Sequence, residues 1–278
     1  MNILEFSSLV VIGSLLAGFL GAVTGLGGGV VIVPLLVIGF GVDIRYAMGA
    51  SLVSVIATSS AAASAYVKEG FSNIRVGMFL EIATSIGAVV GAAVATSISP
   101  SAIAIVFGFV LIYSAYQSVF SHFKNGAPSK PDKLATALKM NSEYPEPDGP
   151  KKYYVRAVPQ GFGVMFIAGT LSGLLGIGSG ALKVIAMDQV MRLPFKVSTT
   201  TSNFMIGVTA AASAGVYLNR GYVDPSLSMP VMLGVLLGSL LGTHFLFRAS
   251  TKILRIVFAV VIFALALEML YKGLTGGF

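Results

Sequence analysis

The chain has no cysteine, which excludes disulfides and thiolate chemistry. Charge is also scarce. Asp, Glu, Lys and Arg make up 10% of the 278 residues, against roughly 25% in an average soluble domain. A soluble fold of this size could not cover its surface with so few charges. His, Asp and Glu nowhere cluster at metal-ligand spacing, and there is no P-loop, so neither a cofactor nor a resident metal is expected. Gly25-Leu26-Gly27-Gly28-Gly29-Val30 lacks the last glycine of a dinucleotide fingerprint and follows no strand. An enzyme is therefore not expected. The remaining nucleophile pairing is Ser179 with Lys183, four residues apart, which would suit an intramembrane Ser/Lys hydrolase. No further acid or base is repeated beside it.

What the chain has in abundance is apolar sequence, 55% of its residues. Long apolar runs cover 8–40, 46–67, 76–98, 101–121, 158–190, 197–218, 227–247 and 253–271. Most reach the roughly 20 residues a helix needs to cross a bilayer core. The runs are continuous rather than alternating, so they are helices and not barrel strands. The fold class is an all-α polytopic membrane protein, placed in the cell (inner or plasma) membrane. A cleavable signal peptide is not expected, because Met1–Phe6 carries no Lys or Arg and the first apolar run leads into the pattern described next.

The sequence repeats itself at an offset of 151 positions without a gap. Gly18, Gly25, Gly27, Gly29 and Val33 match Gly169, Gly176, Gly178, Gly180 and Val184; Ser51, Thr58, Gly87 and Gly91 match Ser202, Thr209, Gly238 and Gly242. One unit of about four hydrophobic segments is written twice. The division is a first transmembrane repeat at 1–121, a linker at 122–156 and a second repeat at 157–278. The linker carries seven Lys or Arg and many prolines and glycines, so it reads as cytoplasmic and mostly extended, with room for a short helix over 132–140.

Basic residues decide between two topologies. If the run 158–190 enters the membrane and returns, fourteen Lys and Arg fall inside and three outside; if it crosses once, the split is eleven to six. The first choice inverts the second repeat. Runs of 33 residues, 8–40 and 158–190, are too long for one straight span, and glycines interrupt both at equivalent places. Each repeat is expected to hold one Gly-broken helix, re-entrant or discontinuous, and three transmembrane helices. Paired Gly-interrupted segments in inverted halves are the best sequence pointer to a transporter site.

The candidate site follows from those breaks. Thr24, Gly25, Gly27, Gly28 and Gly29 in the first repeat, and Gly176, Gly178, Ser179 and Gly180 in the second, precede short apolar helices whose free N–H groups suit an anion. Close packing is the plain alternative use of such glycines. Lys183 lies three residues past Gly180 inside an apolar run, where an ionisable group is costly and functional by default. Substrate contact is the expectation for it, with a structural pair to Asp188 or snorkelling to the interface as the alternative. Ser198-Thr199-Thr200-Thr201-Ser202-Asn203 is a polar run at a helix start, longer than a cap needs. Thr200, Thr201, Ser202 and Asn203, together with Ser51, join the expected substrate site. Glu81 and His244 are candidates for coupling through proton relay.

These residues carry a resemblance. An apolar start, G-x-G-G-G at Gly25–Gly29 opening a short helix, Pro34, and an A-x-G-x-S helix start at Ala47, Gly49 and Ser51, repeated after a variable loop, resemble the TauE/SafE sulfite exporter family, also called TSUP. The resemblance covers both repeats. It implies an inner-membrane transporter that exports small sulfur-containing anions, such as sulfite, sulfoacetate or related organosulfonates, using an ion gradient. The second repeat departs from the family pattern: Ser179 replaces the middle glycine, Lys183 is added and no proline matches Pro34. An added cation and hydroxyl suit a sulfonate. The expected partners are a small anionic substrate, a coupling ion (the proton) and the lipid bilayer, with no nucleic acid; a homodimer is compatible with the sequence. An anion-selective channel is the alternative function.

Overall fold

A computed structural model describes residues 3–24, 28–68, 71–120, 132–145, 149–246 and 251–276. Helices α1 (Ile3–Thr24), α2 (Gly29–Pro34), α3 (Ile44–Lys68), α4 (Ile74–Ala95) and α5 (Pro100–Phe120) form the first half. After the short helix α6 (Lys133–Ala137) and strands β1 (Ser142–Tyr144) and β2 (Lys151–Tyr153) come α7 (Val158–Leu175), α8 (Gly180–Ile185), α9 (Phe195–Asn219), α10 (Pro225–Leu246) and α11 (Thr251–Thr275). Single π-turns extend α2 through Gly39 and α8 through Val190.

The distribution of polarity is that of a polytopic membrane protein. Ile82, Ile86, Val90 and Val94 on α4, Leu233, Leu237 and Leu240 on α10, and Val260, Phe263 and Leu267 on α11 are exposed, while Lys183, Glu81, Ser51, Ser54, Thr201 and Thr209 are buried. Such a continuous apolar exterior has no place in water. Among the described residues, Ile74–Ala95, Pro100–Gln117, Val158–Leu175 and Pro225–Gly242 are each long and apolar enough to cross a membrane.

The first long run doubles back. Phe40, just past α2, packs its ring edge-on against Phe6 at the start of α1, with centroids 5.7 Å apart. The second does the same: Arg156, before α7, donates its backbone N–H to the Met191 carbonyl after α8, at 3.1 Å. Each Gly-broken segment is therefore a hairpin with a long and a short arm.

Glycines set how the arms pack. A β-carbon on Gly169 of α7 would collide with the Thr84 backbone of α4, and one on Gly18 of α1 with the Val235 backbone of α10. Gly18 and Gly169, like Thr84 and Val235, are equivalent positions of the repeat. The long arm of each half thus lies against a helix of the other half, at backbone contact that only small residues permit. Helices α3 and α9 pass each other antiparallel, with Met48 beside Tyr217 and Ser59 beside Gly207. Helices α5 and α11 do likewise, with Ser101 beside Gly273 and Gly108 beside Leu270.

The described part of the linker holds more regular structure than its prolines suggest. Ser142–Tyr144 and Lys151–Tyr153 pair antiparallel, with Ser142 opposite Tyr153, and Pro145 and Pro150 flank the strands without interrupting them. The helix expected over 132–140 occupies Lys133–Ala137. Tyr144 and Tyr153 bury their rings with Ala135, Met140, Val155 and Met187. Asn73 fastens this unit to the membrane helices. Its Oδ1 caps α4 by accepting from Val76 N–H, its Nδ2 donates to the Met140 carbonyl (2.8 Å) and to Tyr153 Oη (2.7 Å), and its own N–H donates to Thr201 Oγ1 (3.0 Å). Burial pushes the Tyr153 hydroxyl above its ordinary range, against the opposing pull of the Asn73 hydrogen bond. Asn73→Ala removes the cap, worth about 0.5–2 kcal/mol, and takes one hydrogen bond each from the Met140 carbonyl and Tyr153 Oη, at about 1 kcal/mol each. The apparent unfolding midpoint in detergent should fall by several degrees, and Asn73→Asp, which keeps the cap, should lose less.

Candidate functional site

The two Gly breaks meet at the centre of the protein. A β-carbon on Gly29 would stand 3.2 Å from Cα of Ile177, against the tip of the opposite hairpin. Ser51 Oγ on α3 joins the two, donating to the Gly176 carbonyl at 2.8 Å and lying 3.5 Å from the Gly29 carbonyl. Its repeat equivalent, Ser202 on α9, donates to the Gly180 carbonyl at 3.2 Å. Gly176 and Gly178 have φ of 67° and 74°, the left-handed region that other residues reach only with strain. Ser179 follows at φ 44°. Gly28 and Gly29 are described and buried, whereas Gly25 and Gly27 lie outside the described residues, as do the side chains of Thr24 and His244.

Lys183 sits on α8, one turn beyond Ser179, and is fully buried. Its ammonium donates to Thr209 Oγ1 on α9. The Thr209 hydroxyl in turn donates to Glu81 Oε1 on α4 at 2.6 Å, and Ser85, one turn along α4, donates to the same oxygen at 2.9 Å. The cluster gathers α4, α8 and α9 on one buried carboxylate and one buried ammonium. Lys183 bonds to Thr209, and through it to Glu81, rather than to Asp188. The helical register explains this. Asp188 lies in the π-turn beyond α8, at the end of the hairpin where Arg192 leaves it.

Among the described residues, two buried polar atoms at this centre have no partner, Glu81 Oε2 and Ser179 Oγ. A buried polar atom without a partner is rare and needs a reason. The hydroxyl run on α9 is dispersed rather than gathered. Thr199 and Thr200 bond back to carbonyls of their own helix, Thr201 receives Asn73 N–H, Ser202 reaches Gly180, and Asn203 is half-buried. Thr209 and Ser85 complete the site without any chemical signature in the sequence. Thr209 shows there only as a repeat match of Thr58, and Ser85 only as a hydroxyl four residues after Glu81 on one helix face.

The repeat is broken here. The positions equivalent to Lys183, Glu81 and Ser85 are Ile32, Met232 and Leu236, and Thr58, equivalent to Thr209, bonds back to the Ser54 carbonyl at 3.0 Å. Each half supplies one of the two charges, and neither charge is repeated in the other half.

Residues 10–269 match the family described as Sulfite exporter TauE/SafE. The chain is 27% identical over 278 residues to the probable membrane transporter protein YunE of Bacillus subtilis, covering 98% of this chain and 99% of that one. It is 25% identical over 272 residues to a probable membrane transporter protein of Xylella fastidiosa, covering 96% of each. No solved structure matches. An apolar exterior, two Gly-broken hairpins and a match along almost the whole length make this chain a multi-pass membrane transporter that belongs to the TauE/SafE sulfite exporter family.

Proposed function

We propose that the protein is an alternating-access secondary transporter that exports small sulfur-containing anions, sulfite or organosulfonates such as sulfoacetate. The observation that carries this reading is a fully buried lysine one turn from an unpartnered buried hydroxyl, Ser179 Oγ, at the meeting point of two hairpins. An ammonium and a free hydroxyl match an oxyanion, which offers negative charge and acceptor oxygens. The family description names sulfite export, which agrees in charge and size.

The sidedness belongs to the same proposal. With the linker in the cytoplasm, each half contributes one in-and-out hairpin and three crossings, so the halves are inverted and their equivalent helices run antiparallel. Rocking of such halves about a central site is the usual route to alternating access.

Reconstitution in proteoliposomes tests the reading. Sulfoacetate or sulfite flux should saturate with concentration and respond to an imposed ion gradient. Flux that rises linearly and ignores the gradient would instead identify an anion-selective channel.

A further inference from the structure

We propose that Glu81 is a proton-binding site linked to the anion through Lys183, so that the protein takes up one proton with each anion. The proposal rests on the reading of Lys183 as the anion contact.

The carboxylate is unevenly served. Oε1 accepts from Thr209 and Ser85, while Oε2 is buried and accepts from none of the described residues. Its negative charge is balanced by Lys183 through a single hydroxyl. The other elements packed on α4 offer no substitute. Helix α7 carries no titratable side chain. Of the titratable groups on α9, Lys196 lies over the Phe71 ring and Tyr217 donates to the Gly173 carbonyl. On α4 itself, Arg75 donates to the Lys139 carbonyl. Beyond α8, Asp188 lies in the π-turn that leads to Arg192.

An anion that captures the Lys183 ammonium therefore strips Glu81 of its counter-charge. A bare carboxylate in a low-dielectric interior costs several kcal/mol, and the group neutralises instead. A proton from water bonds to the free lone pair of Oε2 and cancels the charge. The Thr209 hydroxyl has a second acceptor for this state, the Met205 carbonyl at 3.0 Å, so it can turn away from Glu81 without losing a bond. Ion pair and loaded state are alternatives that one hydroxyl separates. Because the equivalent positions are Ile32 and Met232, the chain has one such site and not one per repeat.

Infrared difference spectroscopy of the protonated carboxyl stretch tests this in the full-length protein near neutral pH. Lys183→Met removes the ammonium as an arriving anion would, so it should show a protonated-carboxyl band that wild type lacks and that disappears when Glu81→Gln is added. Should Lys183→Met fail to fold, Thr209→Val severs the same link and should show the same band. Sulfoacetate, whose acid groups are ionised in this range, should raise the band in wild type but not in Glu81→Gln. Calorimetry in buffers of different ionisation enthalpy should then show uptake of about one proton per anion in wild type and none in Glu81→Gln. No band in either variant, or anion binding to wild type without proton uptake, overturns the proposal. A band in the variants with no sulfoacetate binding to wild type leaves the proton site standing and removes the anion reading.

Discussion

Replacing Gly178 by leucine should abolish transport while leaving folded protein in the membrane. The residue holds φ at 74°, where an L side chain costs about 1–2 kcal/mol. A β-carbon there would stand 2.9 Å from Ile206 Cγ2 and 3.1 Å from Val55 Cγ1. Overpacking of a fitted interior adds about 1–3 kcal/mol. The strain falls at the tip of the second hairpin, next to Ser179 and between α3 and α9, so relief displaces the site itself. A loss of this size corresponds to about thirtyfold or more in any equilibrium that requires the native tip. Uptake in proteoliposomes and elution from size exclusion separate the two effects, and Gly178→Ala should lie between wild type and leucine. Full uptake in Gly178→Leu would reduce the Gly breaks to packing features.

Lys183→Ala should weaken sulfoacetate binding by about 1.5–3 kcal/mol, the range for a hydrogen bond to a charged group, or roughly ten- to a hundredfold in Kd. Lys183→Arg should rescue only in part, because a planar fork cannot occupy the place of a compact ammonium. The single variant also leaves Glu81 without its counter-charge, which destabilises the fold by a separate route. Lys183→Ala combined with Glu81→Gln removes both charges together and isolates the binding effect. Asp188→Asn is the control: the Lys183 ammonium bonds to Thr209 and not to Asp188, so affinity there should match wild type. Calorimetric titration of the four variants against wild type decides the matter, and unchanged affinity in Lys183→Ala removes the residue from the site.

The class of this protein could be read from its sequence, because the cost of placing charge and bare backbone in lipid acts on every residue in turn. A charged fraction of 10% and apolar runs near 20 residues admit only membrane-spanning helices. The repeat was equally legible, since 151 is a constant offset that needs no coordinates. Lys183 stood out for the same local reason, as a charge in an apolar run. What the sequence could not supply is which groups face it. Its partner Glu81 lies in the other repeat and is reached through Thr209, 128 positions from Glu81, a contact set by how α4, α8 and α9 rotate against one another. The hydroxyl run 198–203 looked like a lining and is mostly taken up by backbone carbonyls and by Asn73, because helix rotation points successive residues in different directions. The paired linker strands were hidden by the prolines that flank them, which say nothing of the strands themselves. Composition and period act residue by residue and survive in one dimension. Pairing between distant side chains depends on glycine-controlled helix contacts, and only the tertiary structure decides those.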